Sequence, residues 1–113
     1  MATTQQLRAL GFSVLAEGED REITSVYCGD LLSIVMGRAP ADSAWVTMMG
    51  NVNAVAVAVL ADTACVIVAE GLTVDPVAIE KAKSQGVWLL QTQLPVLEAA
   101  LAVKEALQQG KTQ

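Results

Sequence analysis

Three polar segments interrupt the apolar second half of this 113-residue chain, and they hold most of the residues able to do chemistry: Gly50-Asn51-Val52-Asn53, Glu70-Gly71 and Gln91-Thr92. Asn51 and Asn53 offer amide donors beside a predicted helix N-terminus, where free backbone N–H groups and the helix dipole favour an anion. Glu70 can accept from a ribose hydroxyl or an amine. Earlier in the chain, Cys28-Gly29-Asp30 ends another extended stretch in the same way. Each residue also has a simpler explanation: Asn53 and Thr92 as N-caps, Gly50 and Gly71 as turn glycines, Asp30 as the cap of the helix that follows it. As a cluster, Gly29, Asp30, Gly50, Asn51, Asn53, Glu70, Gly71 and Thr92 are the candidate ligand-binding residues.

Catalytic chemistry is harder to assemble. The chain has no His and two Cys, which removes Ser-His-Asp and Cys-His catalysis, His-containing zinc sites and a four-Cys zinc site within one chain. Glu70 as a general base with Asp30 as its partner would act without a metal ligand set, an activated nucleophile or a cofactor motif. The chain therefore reads as a non-enzyme with no cofactor and no metal. Cys28 and Cys65 lack a His to activate them and are expected to be reduced thiols, Cys28 being the more accessible beside Gly29.

Seven Lys and Arg against twelve Asp and Glu give a net charge of -5, so no electrostatic term favours nucleic acid or an anionic membrane surface. The acidic cluster Glu17, Glu19, Asp20 and Glu22 reads as a solvated turn. Met1 to Leu10 lacks the apolar core of a signal peptide, and the run from Val52 to Ala69 is broken by Asn53, Asp62 and Thr63. A cytoplasmic protein without a membrane span is expected. With 53% hydrophobic but 4% aromatic residues, the core must be built from Ala, Val, Leu and Ile.

These residues fall into a regular series of elements. Thr3-x-x-Gln6 predicts a capped helix over 4–10 closed by Gly11. Short strands follow at Phe12 to Leu15 and Ile23 to Cys28, then a helix over 31–36 with Asp30 as cap and Gly37 as stop. Ala44 to Met49 and Cys65 to Ala69 are buried strands, as is Val87 to Leu90; Trp45, Trp88 and the Met48-Met49 pair belong to the core. Ala54 to Val59 alternates like a strand, but Ala is a poor strand former and Asn53 a good cap, which predicts a helix over 53–60. Asp75, Pro76 and Gly86 bound a further helix. The last helix starts with Thr92 as cap and Pro95 in its first turn, and carries the stripe Val96, Ala100, Val103 and Leu107 before Gly110, with 110–113 frayed. Alternating strands and helices predict one α/β domain over 1–113, a mostly parallel sheet with helices on both faces. In such sheets ligands bind beyond the carboxyl ends of the strands, near a reversal of strand order.

The segments Tyr27-Cys28-Gly29-Asp30-Leu31-Leu32, Trp45 to Asn53 and Val66 to Gly71 together resemble the DRTGG-domain family and the related N-terminal domain of HPr kinase/phosphorylase, from about Ile23 to Thr92. Asn51, Val52 and Asn53 stand where the family has Asp-Arg-Thr, and Ala69, Glu70 and Gly71 where it has Thr-Gly-Gly, so only Gly71 is kept. Recognition through those Arg or Thr side chains is therefore absent. The resemblance implies an α/β regulatory or accessory domain, commonly oligomeric. A kinase is not implied, because no Gly-x-x-x-x-Gly-Lys-[Ser/Thr] phosphate loop is present.

The expected function is thus a non-catalytic domain that binds a small anionic or nucleotide-like ligand at the strand ends and passes that state to a protein partner. The rival expectation is a homo-oligomeric adaptor without a ligand, since so small a domain cannot easily hide this much apolar surface. A homodimer is expected in either case.

Overall fold

Cys65, Val66, Ile67 and Val68 are completely buried, as a strand covered on both faces must be. In the computed structural model, which describes residues 2–111, this strand is the middle of the sheet. The elements in chain order are β1 (Ala2–Thr3), a 3₁₀ helix (Thr4–Leu10), β2 (Ser13–Ala16), β3 (Glu22–Ile23), β4 (Ser25–Cys28), α1 (Leu32–Arg38), β5 (Ser43–Thr47), α2 (Val52–Ala61), β6 (Cys65–Val68), α3 (Pro76–Gln85), β7 (Trp88–Gln91) and α4 (Val96–Lys111). The main sheet has the order β2-β7-β6-β5-β4, and β1 pairs with β3 in a separate two-stranded ribbon. Strands β4 to β7 are parallel, while β2 runs antiparallel to β7. The predicted α/β fold with a mostly parallel sheet is therefore present.

Side-chain alternation sorts the core into two layers. On one face Ala44, Val46, Cys65, Ile67, Trp88 and Leu90 meet Ala99, Val103 and Leu107 of α4 and Leu7 of the 3₁₀ helix. On the other, Trp45, Val66, Val68 and Leu89 meet Val35, Ala54, Val55, Ala58, Ala78 and Ala82 of α1, α2 and α3. The small residues on α2 and α3 let these helices lie close to the sheet and to each other. Both tryptophans are core residues whose indole N–H groups reach backbone carbonyls, Trp45 to Gly29 at 2.9 Å and Trp88 to Glu19 at 2.7 Å, so neither buried donor is left unpaired.

The parallel strands follow one another in sequence order, so the expected reversal of strand order does not occur among them. What changes instead is the face: α1, α2 and α3 cross one side of the sheet and α4 the other. The connections leaving β6 and β7 therefore run to opposite faces of the sheet.

Several local expectations are corrected. The stretch 23–28 is split, because Ile23 pairs with Ala2 whereas Ser25 to Cys28 pairs with β5. The first helix is of the 3₁₀ type, with Gly11 in the left-handed region at φ 87°. Gly110 does not end α4, whose backbone continues to Lys111; of the tail expected to fray, Thr112 and Gln113 lie outside the described residues.

Candidate functional site

Parallel pairing brings the ends of β4, β5, β6 and β7 to one edge, and with them every candidate residue except Asn53, which lies one position inside α2 on its exposed side. Asn51, not Asn53, caps that helix. Its side chain accepts the Ala54 N–H at 3.0 Å while its backbone stays extended at φ -112°, which is the geometry of a capping residue. Two orphan donors remain at the α2 N-terminus, the Val52 and Asn53 N–H groups, neither with a partner among the described residues.

Asp30 is likewise not the cap of α1, since Leu31 occupies that position without a side-chain bond. The Asp30 carboxylate instead accepts from Thr47 Oγ1 at 2.7 Å and from the Met48 N–H at 2.8 Å. It thereby ties the end of β4 to the end of β5, and the buried Thr47 hydroxyl in turn accepts from the Met49 N–H at 3.3 Å. Gly29 continues the ladder through its N–H to Val46 and presents its carbonyl to Trp45. Gly50 is required by close approach: a Cβ there would stand 2.7 Å from the Thr73 carbonyl oxygen and 3.0 Å from Val74 Cα.

Glu70 is the hub of the junction between the ends of β6 and β7. It holds φ 65° and Gly71 follows at φ 66°, an unfavourable pair of left-handed residues for which only the second is a glycine. The turn is fixed from three sides. The Glu70 N–H donates to Leu94, the Gly71 N–H donates to Thr92, and Glu70 Oε2 accepts the Val96 N–H at 2.8 Å. Glu70 therefore caps α4, the role expected of Thr92. Thr92 sits earlier, outside the helix, where its hydroxyl accepts from the Leu94 N–H at 3.2 Å, and Pro95 precedes the first helical residue. A carboxylate at this N-terminus also complements the α4 dipole. Gln91 completes the closure by donating from Nε2 to the Leu72 carbonyl at 2.6 Å.

The edge is thus two linked groups: Asp30, Thr47, Gly50 and Asn51 around β4, β5 and α2, and Glu70, Gly71 and Thr92 around β6, β7 and α4. Its rim carries large exposed apolar side chains, each within a few residues of a strand end: Leu31, Leu72 and Leu94, which sequence reasoning passed over, and Met48, which was expected in the core but is exposed because β5 ends at Thr47. Their position immediately after the apolar strands was the signal available. No group of three or more metal-ligating side chains occurs among the described residues.

Neither thiol is poised for reaction. Burial and the neighbouring Asp30 push the Cys28 thiol up, and complete burial pushes Cys65 up to about 12; both cysteines are free. No helix among the described residues is long and apolar enough to cross a membrane. No known protein-family model matches this chain, and no curated protein matches it either.

Proposed function

We propose that the protein is a non-catalytic regulatory or accessory domain that binds a small anionic or nucleotide-like ligand at the carboxyl edge of its parallel sheet. The observation that carries this reading is the convergence of four strand ends on one edge, with the free Val52 and Asn53 N–H groups of α2 beside them. Such groups, backed by the helix dipole, suit a phosphate or carboxylate. Glu70 supports a regulatory role, because one residue joins the edge to the start of α4, whose apolar stripe lies on the opposite face. An anion entering beside Glu70 would compete with its carboxylate for the α4 N-terminus and so alter how that helix is held.

The likeness of these segments to DRTGG domains and to the N-terminal domain of HPr kinase/phosphorylase fits an accessory role, and the cytoplasm is the compartment in which two free thiols are at home. The raised thiols and the engagement of Glu70 and Asp30 by backbone N–H groups favour binding over catalysis. Screening nucleotides and phosphorylated metabolites by thermal shift tests the reading. A ligand at a hundredfold excess over its Kd should stabilise the fold by about 2.7 kcal/mol. Absence of any shift across both classes, with the protein folded, contradicts it.

A second reading, a homo-oligomeric adaptor, is favoured by a specific observation: Leu31, Leu97 and Leu101 are all more than half exposed. A monomer by light scattering at micromolar concentration counts against this reading.

A further inference from the structure

The sheet has two outer strands, and they are finished differently. β2 carries a register shift between Val14 and Ala16 and runs into the acidic turn, where Glu17 pairs with Arg8. Bulges and charges of this kind discourage a further strand from adding. β4 has neither. Thr24-Ser25-Val26-Tyr27-Cys28-Gly29 contains no charge and no proline, and it pairs with β5 in unbroken register from Ser25 to Cys28.

The direction of the unused backbone groups follows from that ladder. In a parallel strand each residue turns its N–H and C=O to the same side, and successive residues alternate. The Gly29 N–H reaches the Val46 carbonyl at 3.3 Å, so Gly29 and Tyr27 face β5, whereas Val26 and Cys28 face away from the sheet. The N–H and C=O groups of Val26 and Cys28 have no partner among the described residues.

We propose that this free edge pairs antiparallel with the same edge of a second copy, across a twofold axis at Tyr27, joining the two sheets into one. The inference rests on the self-association expected above and adds its location. Centred on Tyr27, the pairing is self-complementary: Val26 of one copy lies opposite Cys28 of the other, and each such pair exchanges both of its N–H···O=C bonds. The two Tyr27 rings then meet as a close cross-strand pair on the α1 side, the arrangement in which aromatic residues contribute most.

Apolar surface beside this edge also favours a second copy as the occupant. α4 runs antiparallel to β4, from the carboxyl edge near Glu70 down to Lys104, Leu107 and Gln108, which line a groove of about 260 Å³ with Thr24, Ser25 and Val26. Leu97 and Leu101 continue the Lys104 side of α4 at helical spacing and are 64% and 53% exposed, so the join covers apolar surface as well as strand edge.

Three arms test the pairing. Sedimentation equilibrium of the wild-type chain at tens of micromolar should give about twice the 11.8 kDa chain mass; a monomer overturns the proposal. Cys28→Pro removes one outward donor and fills the gap with a ring without touching the β4–β5 ladder, and should return a folded monomer; a folded variant that remains dimeric overturns β4 as the join while leaving self-association intact. The third arm stands even if that variant fails to fold. In a Cys28→Ser background, Tyr27→Cys places two thiols in a pair whose Cα atoms are about 4.5 Å apart, within the span of roughly 4.4–6.8 Å that a disulfide bridges. Mild oxidation should convert most of the chain to a covalent dimer on a non-reducing gel, while the wild type, whose Cys28 faces Val26, should stay uncrosslinked. Failure of the first, or efficient crosslinking of the second, overturns the register.

Discussion

The two ends of the parallel sheet solve opposite electrostatic problems. At the amino end Arg21 fastens the turn that follows α2, donating to the Asp62 carbonyl at 3.1 Å and the Thr63 carbonyl at 3.0 Å while pairing with the Asp42 and Asp62 carboxylates at 2.5 and 3.2 Å. Both aspartates hold positive φ, 62° and 58°, so one guanidinium fastens two unfavourable turns. Burial works against its charge, but its hydrogen bond to Asp42 and the nearby Asp62 raise its pKa. At the carboxyl end the signs are reversed: Asp30 and Glu70 accept from backbone N–H groups, yet the α2 N-terminus keeps free donors and the rim keeps exposed leucines and a methionine. The amino end is fastened by charge, although the buried hydroxyls of Ser25, Ser43 and Thr63 there have no hydrogen-bond partner among the described residues. The carboxyl end differs in that its unspent backbone donors lie at a helix start beside an exposed apolar rim, where binding remains to be done.

Substitutions at the two ends should separate these roles. Gly50→Ala should have the largest effect on stability, about 3 kcal/mol, because the added methyl meets backbone of the 73–74 segment and cannot be relieved by a side-chain rotation. Urea unfolding measures it, and a loss below about 1 kcal/mol would show that this junction is looser than its geometry. Arg21→Ala follows at about 2 kcal/mol, through the loss of hydrogen bonds between a charged donor and two carbonyls. It should leave ligand response at the other end unchanged, and a parallel loss of binding would break the division between the ends.

Glu70 sharpens the comparison, since it is both strained and useful. Glu70→Ala loses the α4 cap while keeping the strain, at about 1 kcal/mol, whereas Glu70→Gly loses the cap but relieves φ 65°, worth roughly 1–2 kcal/mol at a non-glycine residue. The glycine variant should therefore be the more stable of the two in thermal melts; the reverse order would mean that the turn carries little strain. The smallest effect belongs to Asp20. Its carboxyl, held down chiefly by the Gln5 N–H at 2.8 Å, adds stability that is fully present above the ordinary carboxylate value of 3.8 and is lost as pH falls through the lowered native value. Asp20→Asn should flatten that part of the stability–pH curve below 3.8.

Strand identity was legible in the sequence because burial on both faces leaves uninterrupted apolar runs, and Cys65 to Val68 and Trp88 to Leu90 appear where their patterns put them. The Ala–Val alternation of α2 was resolved by Ala being a poor strand former, and the helix runs from Val52 to Ala61. Capping was less legible. Asn51 and Asn53 have the same side chain two positions apart, and only the path of the chain decides that Asn51 closes the helix. The cap of α4 could not be found by local spacing, since Glu70 lies 26 residues before Val96 and a long-range carboxylate replaces the nearby Thr92. The role of Asp30 is hidden for the same reason: its partners, Thr47 and Met48, are supplied by the end of the neighbouring strand and the residue after it rather than by the next turn of its own chain.

The most direct test of a binding edge is an amide chemical-shift titration of the ¹⁵N-labelled protein with a ligand taken from the thermal-shift screen. The account predicts saturable shifts at Val52, Asn53, Glu70, Gly71 and Thr92, followed by smaller shifts at Val96 where Glu70 holds α4, with the amides around Arg21 still. Shifts confined to the groove of about 370 Å³ between the 3₁₀ helix and α4, lined by Leu7, Leu10 and Ala106, or centred on the Arg21 end, would contradict it.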